Sequence, residues 1–183
     1  MPLSSTHIPL GIVAPSFALP NTVDGKIISI DDFPNAKAYA IFFICNHCPY
    51  VIHLQKGLVE FANDYLSKGV AIFAISSNDI LNYPEDAPDR MKKVALDANF
   101  PFPYLYDETQ EVAKSYHAAC TPDLYLFNQD RKLVYRGEFD NSRKGNSEPV
   151  TGNSFRKACD LILANQPVPK EQIPSIGCGI KWK

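Results

Sequence analysis

The sequence lacks two features that would point to nucleic acid or to a membrane. Its 183 residues have no basic surplus, and the formal net charge is −2. Proteins that neutralise phosphates need clustered lysine and arginine, so nucleic acid and anionic membranes are poor candidates as partners. The sequence also has no apolar run long enough to span a bilayer. Small molecules and other proteins remain as the expected partners.

A signal peptide is also missing from the start of the sequence. Residues 1–9 have neither the basic beginning nor the unbroken apolar segment that such a peptide needs. We therefore expect a cytoplasmic protein, in which a reducing thiol pool disfavours permanent disulfides. The five cysteines cannot all pair within the chain, because five is an odd number. In this setting, cysteines are expected to be catalytic, metal-binding or simply buried.

The most reactive chemistry is concentrated in one short stretch. An apolar run over residues 38–44 is followed by the Cys-x-x-Cys motif of Cys45 and Cys48, and a helix is predicted from residue 50. A thiol at the start of a helix meets the positive end of the helix dipole and unpaired backbone N–H groups. Both favour thiolate over thiol. The motif therefore predicts a nucleophilic cysteine.

Hydrophobic periodicity predicts alternating strands and helices along the chain. In order, we predict a hairpin at Asp24-Gly25, a strand (38–44), a helix (50–68), a strand (70–75), a helix (88–98), an aromatic segment (102–106), a helix begun by a capping box of Asp107 and Gln110, a hairpin (124–136) and a helix (154–164). This alternation predicts an α/β fold with a mixed sheet between helices. We expect one domain over residues 1–183, with its core at about 12–165 and a tail at 166–183.

Several motifs occur together in an order typical of one family. They are the strand, cysteine pair and helix of residues 38–68, then Cys120-Thr121-Pro122, with further matching segments at 14–20, 24–26, 76–79 and 102–108. This set resembles the thioredoxin fold, and more closely its peroxiredoxin-like branch of redoxin and AhpC/TSA relatives. The resemblance implies a thioredoxin-like three-layer sandwich with an N-terminal hairpin extension and a C-terminal tail. It also implies a cis peptide bond before Pro122, against the active cysteine.

Two registers of the helix compete for the nucleophile. If the helix begins at Cys45, that thiol attacks and Cys48 resolves the intermediate. If it begins at Cys48, the two roles are exchanged. Pro49 favours the second register, because proline suits the first helical position and has no N–H for an interior one.

The second register departs from both branches of the resembled family. Val51 stands where thioredoxin has its second cysteine. Cys45 stands where peroxiredoxins have threonine or serine, Ile41 replaces their proline, and no arginine flanks residues 120–122. These departures favour thiol-disulfide exchange over efficient peroxide reduction.

The predicted function is a thiol-disulfide oxidoreductase of the peroxiredoxin-like type, with peroxide reduction as a further antioxidant activity. Cys48 is predicted to attack a disulfide or a peroxide, and Cys45 to resolve the product. Thr121 and Pro122 would present backbone groups to an extended substrate, as in strand addition. Cys120 either approaches the active thiols or packs in the core. The expected partners are a protein or small-molecule disulfide, or a peroxide, and a thiol reductant; no cofactor or metal is required.

Two other functions stay open. One is a non-catalytic redox sensor or binding module that uses the same cysteine pair as a switch. The other is a copper- or zinc-binding protein with Cys45, His47 and Cys48 as ligands, since thiolate and imidazole suit these metals.

The remaining candidates lie outside the motif. Cys159 is predicted to be buried and inert on the apolar face of the last helix. Cys178 either folds back as an extra resolving thiol or lies free in an exposed tail. Arg136 and Arg143 either hold a substrate anion or are solvated charges.

Overall fold

A computed structural model describes residues 2–183. The strands, in chain order, are β1 (Leu3–Ser4), β2 (Ala18–Pro20), β3 (Ile27–Ser29), β4 (Ala38–Phe43), β5 (Val70–Ser76), β6 (Tyr104–Tyr106), β7 (Cys120–Thr121), β8 (Asp123–Asn128), β9 (Leu133–Arg136) and β10 (Ile176–Gly179). The α-helices are α1 (Pro49–Tyr65), α2 (Pro88–Asp97), α3 (Glu111–Ser115) and α4 (Asn153–Leu163). Across residues 2–183, none of the helices combines the length and the apolar character needed to cross a bilayer.

Five strands form the mixed central sheet, in the order β6-β5-β4-β8-β9. β4 runs parallel to β5 and antiparallel to β8, so that Ile41 lies opposite Phe73 on one side and Tyr125 on the other. All six residues of β4 are buried, as its continuous apolar run requires. The predicted mixed sheet is confirmed, and the predicted N-terminal hairpin is present as the antiparallel pair β2 and β3.

Alternate residues of β4 point to opposite faces of the sheet. Phe42 packs into a cluster that includes residues of α1, α2 and α4. Ile41 and Phe43 belong to a second cluster, in which Tyr116 and the N-terminal Phe17 cover the other face. The predicted three-layer arrangement is therefore confirmed.

The helix ends follow local signals, with one exception. α1 is followed by a short 3₁₀ turn and stops at Gly69, which has the left-handed φ of 91°. The predicted capping box at Asp107 and Gln110 is wrong. Gln110 itself adopts a φ of 65° and precedes the first residue of α3, while the Asp107 carboxylate accepts the N–H of Ala113 over 2.9 Å. Asp107 still accepts a hydrogen bond from the start of the helix, but the N-cap residue is Gln110 and not Asp107.

The C-terminal tail folds back onto the molecule. β10 lies between β1 and β7 and pairs antiparallel with both. Cys178 is partly buried there, so its interpretation as a free exposed end is wrong. The alternative, that this cysteine folds back, agrees with the structure.

Arg136 is buried rather than solvated, which corrects one interpretation of this residue. Its guanidinium makes a two-point contact with Asp123, with Nη2 2.8 Å from Oδ2 and Nε 3.2 Å from Oδ1. It also donates to the carbonyl oxygen of His117 over 2.9 Å. Asp123 directly follows Pro122, so this ion pair holds the segment that carries the second predicted motif. Arg143 is paired as well, with Glu138.

Candidate functional site

The nucleophile position lies where β4 gives way to α1. Cys48 is the N-cap of α1 and Pro49 occupies the first helical position, as the second register predicts. The register that begins the helix at Cys45 is wrong. Cys48 is fully buried, with 0% of its surface exposed.

The two thiols of the motif meet at one residue of the second motif. Cys45 Sγ lies 3.3 Å from Thr121 Oγ1. The Cys48 thiol donates to the Thr121 carbonyl oxygen over 3.1 Å. The peptide bond between Thr121 and Pro122 is cis, as the family resemblance implies. The predicted residues Cys45, Cys48, Thr121 and Pro122 therefore form one site.

The environment shifts the pKa values of the two thiols in opposite directions. The pKa of Cys48 is lowered, chiefly because the Cys45 thiol donates to its sulfur; burial opposes this, and Cys178 and the Val51 N–H assist it. The Val51 N–H lies near the Cys48 sulfur, but the Cys48 side chain accepts no helix-capping hydrogen bond. The pKa of Cys45 is raised by the same contact with Cys48, then by burial and by the charge of Asp86.

One contact works against the Cys48 thiolate. The Thr121 carbonyl accepts a hydrogen bond only from the protonated thiol, and so favours that form. We infer that the lowered pKa prevails, because one carbonyl acceptor faces a thiol donor from Cys45 together with the groups of Cys178 and Val51. Cys48 is therefore the more acidic of the two thiols and Cys45 the less acidic.

A buried carboxylate, which is not among the residues predicted from the sequence, completes the surroundings of Cys45. Asp86 is fully buried and accepts hydrogen bonds from the Asn46 N–H over 2.7 Å and from Asn78 Nδ2 over 2.8 Å. His47 Nδ1 lies 2.7 Å from Asp86 Oδ2, although the geometry is not that of a well-directed hydrogen bond. No local pattern distinguishes Asp86 within its polar loop, since the contact that brings it to the cysteine motif, with Asn46, joins residues far apart along the chain.

A set of possible metal ligands overlaps with this cluster. Cys45, His47 and Asp86 offer ligand atoms that all lie within 4.8 Å of one another. The set differs from the predicted Cys45, His47 and Cys48, because the Cys48 sulfur is directed to Thr121 instead. One sulfur, one nitrogen and one oxygen ligand are compatible with zinc or copper.

The other cysteines contribute unequally to the site. The Cys120 thiol donates to the carbonyl oxygen of Pro122 over 3.5 Å, and burial raises its pKa. Its participation in the redox cycle stays a prediction. Cys159 is fully buried among core residues, as predicted. Cys178, in contrast, lies on β10 directly opposite Thr121.

A central sheet covered on both faces, with two thiols near the start of α1, is the architecture of the thioredoxin-fold proteins. Residues 10–136 match the AhpC/TSA family, and the chain belongs to that family. A comparison with curated protein sequences gives no match.

Solved structures share this fold. An uncharacterized conserved protein from Geobacillus kaustophilus is 57% identical over 100% of this chain and 97% of its own, with a TM-score of 0.98. A hypothetical protein from Sinorhizobium meliloti 1021 is 42% identical over 98% of each chain, with a TM-score of 0.96. A peroxidoxin from Mycobacterium tuberculosis is 15% identical over 87% of this chain and 98% of its own, with a TM-score of 0.63, and shares the fold.

Proposed function

We propose that this protein is a thiol-disulfide oxidoreductase that alternates between the Cys45/Cys48 dithiol and its disulfide. Membership of the AhpC/TSA family supports a thiol redox function. The observation that carries the proposal is the convergence of both thiols on Thr121, with Cys45 Sγ 3.3 Å from its hydroxyl oxygen and Cys48 Sγ 3.1 Å from its carbonyl oxygen. The opposite directions of the pKa shifts, lowered at Cys48 and raised at Cys45, support the division of roles. Such a pair divides into a nucleophile and a resolving thiol.

In the first step, the Cys48 thiolate attacks one sulfur of a substrate disulfide. A bond forms between Cys48 Sγ and that sulfur, the substrate disulfide breaks, and the other half of the substrate leaves as a thiolate. Cys48 then carries no negative charge. The hydrogen bond that retained the proton on Cys45 is lost with that charge, so the resolving thiol ionises more easily.

In the second step, Cys45 loses its proton and attacks Cys48 Sγ. The Cys45–Cys48 disulfide forms, and the bound half of the substrate leaves as a thiolate. Asp86 and His47 are placed to take the proton, because their nearest atoms lie within 4.8 Å of Cys45 Sγ. The substrate is reduced and the protein oxidised by two electrons. A cellular thiol, in a reducing compartment such as the cytoplasm, returns the pair to the dithiol.

Peroxide is a second oxidant that the same thiolate could reduce, giving a sulfenic acid on Cys48 and then the same disulfide. Two features make us rank it below disulfides. Cys45 replaces the hydroxyl residue of the peroxiredoxin motif. Arg131, the arginine nearest in sequence to residues 120–122, and Arg136 are both already paired, with Asp31 and with Asp123 respectively.

The proposal is tested by oxidising the purified protein with glutathione disulfide and mapping its disulfides by mass spectrometry. Wild-type protein is expected to form Cys45–Cys48 and, when dithiothreitol is supplied in excess as the reductant, to reduce glutathione disulfide faster than dithiothreitol does alone. Cys48→Ala should abolish both, whereas Cys159→Ala, which removes an inert core thiol, should retain both. Oxidation without turnover would instead identify a redox sensor. No reaction at Cys48 would overturn the proposal, and parallel rates with hydrogen peroxide rank the two oxidants.

The clustering of Cys45, His47 and Asp86 favours a second candidate function, binding of copper or zinc. Metal analysis of the purified protein after dialysis tests it. One equivalent of either metal, lost in Asp86→Asn, would support this function. Metal-free protein that still turns over disulfides would reject it.

A further inference from the structure

The C-terminal strand occupies the backbone edge at which we expect a substrate to bind. β10 runs antiparallel to β7, with Cys178 opposite Thr121 and Gly179 opposite Cys120. It also packs against α1, the helix that begins after Cys48. The segment next to the active thiols is thus already paired, by a strand that presents a cysteine of its own.

The approach of this strand depends on a glycine. A Cβ atom at Gly177 would lie 1.9 Å from the Thr121 carbonyl oxygen and 2.5 Å from its carbon. These are backbone atoms and cannot rotate away, so only glycine allows β10 to lie this close. At Gly179, on the same strand, a Cβ would meet only the flexible end of the Leu3 side chain, at 2.8 Å.

The docked strand also separates Cys48 from solvent. Cys48 is fully buried, whereas Cys178 is partly exposed. Beside Pro122 and Ile176, a cavity of about 20 Å³ has room for a single water and not for a substrate segment. Cys178 is therefore the thiol through which a reagent in solution gains access to the site while β10 is docked.

We propose that Cys178 is a third redox thiol of this site, which resolves Cys48 and transfers the disulfide to the protein surface. This inference rests on the proposed function. In the step itself, the Cys178 thiolate attacks Cys48 Sγ of the Cys45–Cys48 disulfide. The Cys48–Cys178 bond forms, the Cys45–Cys48 bond breaks, and Cys45 leaves as a thiolate that takes up a proton. No electrons are gained or lost, since one disulfide replaces another.

The exposure of the two sulfurs determines how the new disulfide is opened. Cys178 is partly exposed, whereas Cys48 is fully buried. An external thiolate is therefore expected to attack the Cys178 sulfur and to release Cys48 as thiolate. A second external thiol then frees Cys178.

The Cys45→Ala variant tests this, because it removes the other resolving thiol. After oxidation with glutathione disulfide and acid trapping, mass spectrometry should find Cys48 joined mainly to Cys178. Adding Cys159→Ala to this variant should leave the yield of the Cys48–Cys178 disulfide unchanged. In wild-type background, Cys178→Ala should slow reduction of the Cys45–Cys48 disulfide by glutathione about tenfold. Cys48 left joined to glutathione, or joined to Cys120, would overturn the inference.

Two glycine variants in the Cys45→Ala background test the strand independently of the thiol. Gly177→Ala must displace β10 and is expected to reduce the yield of Cys48–Cys178 severalfold, whereas Gly179→Ala should retain it. Equal yields would contradict the inference.

Failure of the inference can be distinguished from failure of the proposed function. If wild-type protein forms Cys45–Cys48 and turns over, but Cys45→Ala gives no Cys48–Cys178, only the third thiol is wrong. If Cys48 reacts in neither protein, the proposed function is wrong and the inference fails with it.

Discussion

The side-chain hydroxyl of Thr121 lies 3.3 Å from the sulfur of Cys45. A hydroxyl that donates to the thiolate form stabilises it, and this contact lowers the pKa of Cys45 against the larger effects that raise it. Thr121→Val removes the hydroxyl and keeps the side-chain shape and the backbone carbonyl. We expect the pKa of Cys45 to rise, so that less thiolate is present at neutral pH. A hydrogen bond to a charged group contributes about 1.5–3 kcal/mol, so formation of Cys45–Cys48 should slow about tenfold or more.

Rapid mixing with glutathione disulfide followed by acid quenching measures that rate. Thr109→Val, at an exposed threonine away from the site, is the matched control and should leave the rate unchanged. An unchanged rate in Thr121→Val would mean that the hydroxyl does not assist Cys45.

The second prediction concerns the thiolate on Cys48. Its pKa is lowered first by the hydrogen bond from Cys45, so Cys45→Ala should raise that pKa towards the value of an ordinary thiol. The thiolate fraction at neutral pH falls as a result. The pH dependence of iodoacetamide alkylation, followed on the Cys48 peptide by mass spectrometry, measures the shift. Cys159→Ala should give the wild-type profile. Coincident profiles for Cys45→Ala and wild type would show that the thiol contact does not activate Cys48.

Those parts of the site that depend on short-range sequence could be predicted. The apolar run of β4, the proline after Cys48 and the Lys68-Gly69 stop each act within a few residues, and together they position α1 correctly. The cis bond before Pro122 agreed with the family resemblance. The alternation of strands and helices was sufficient for the sheet and its layers.

The parts that were missed depend on contacts between distant segments. Asp86 belongs to a polar loop of ordinary composition, and its contact with the Asn46 N–H brings this loop to the cysteine motif only in the folded chain. Cys178 has no local signal that indicates docking against Thr121. Arg136 was interpreted as an anion-binding or solvated charge, because nothing near it in the sequence indicates that Asp123 is its partner in a buried pair.

Asp86 gives the third prediction. After the contact with Cys48 and burial, the charge of Asp86 is the next cause that raises the pKa of Cys45. In a Cys48→Ala background, Asp86→Asn should therefore lower the pKa of Cys45, since an amide cannot oppose the thiolate charge. Alkylation of the Cys45 peptide as a function of pH measures this. Asp89→Asn, at an exposed carboxylate of α2, is the control. A pKa that rises or stays constant in Asp86→Asn would contradict the assigned effect.

The last prediction concerns the contribution of the buried Arg136–Asp123 pair to the stability of the fold. Both side chains are buried, with 3% and 0% of their surfaces exposed. Arg136→Met leaves the Asp123 carboxylate without its cation in a site that excludes water, which typically costs about 3–5 kcal/mol of unfolding free energy. Urea denaturation followed by circular dichroism measures the loss. Lys93→Met breaks an exposed pair with Asp97 and should cost less than about 1 kcal/mol. Similar losses of unfolding free energy in the two variants would mean that the buried pair contributes no more to stability than the exposed pair does.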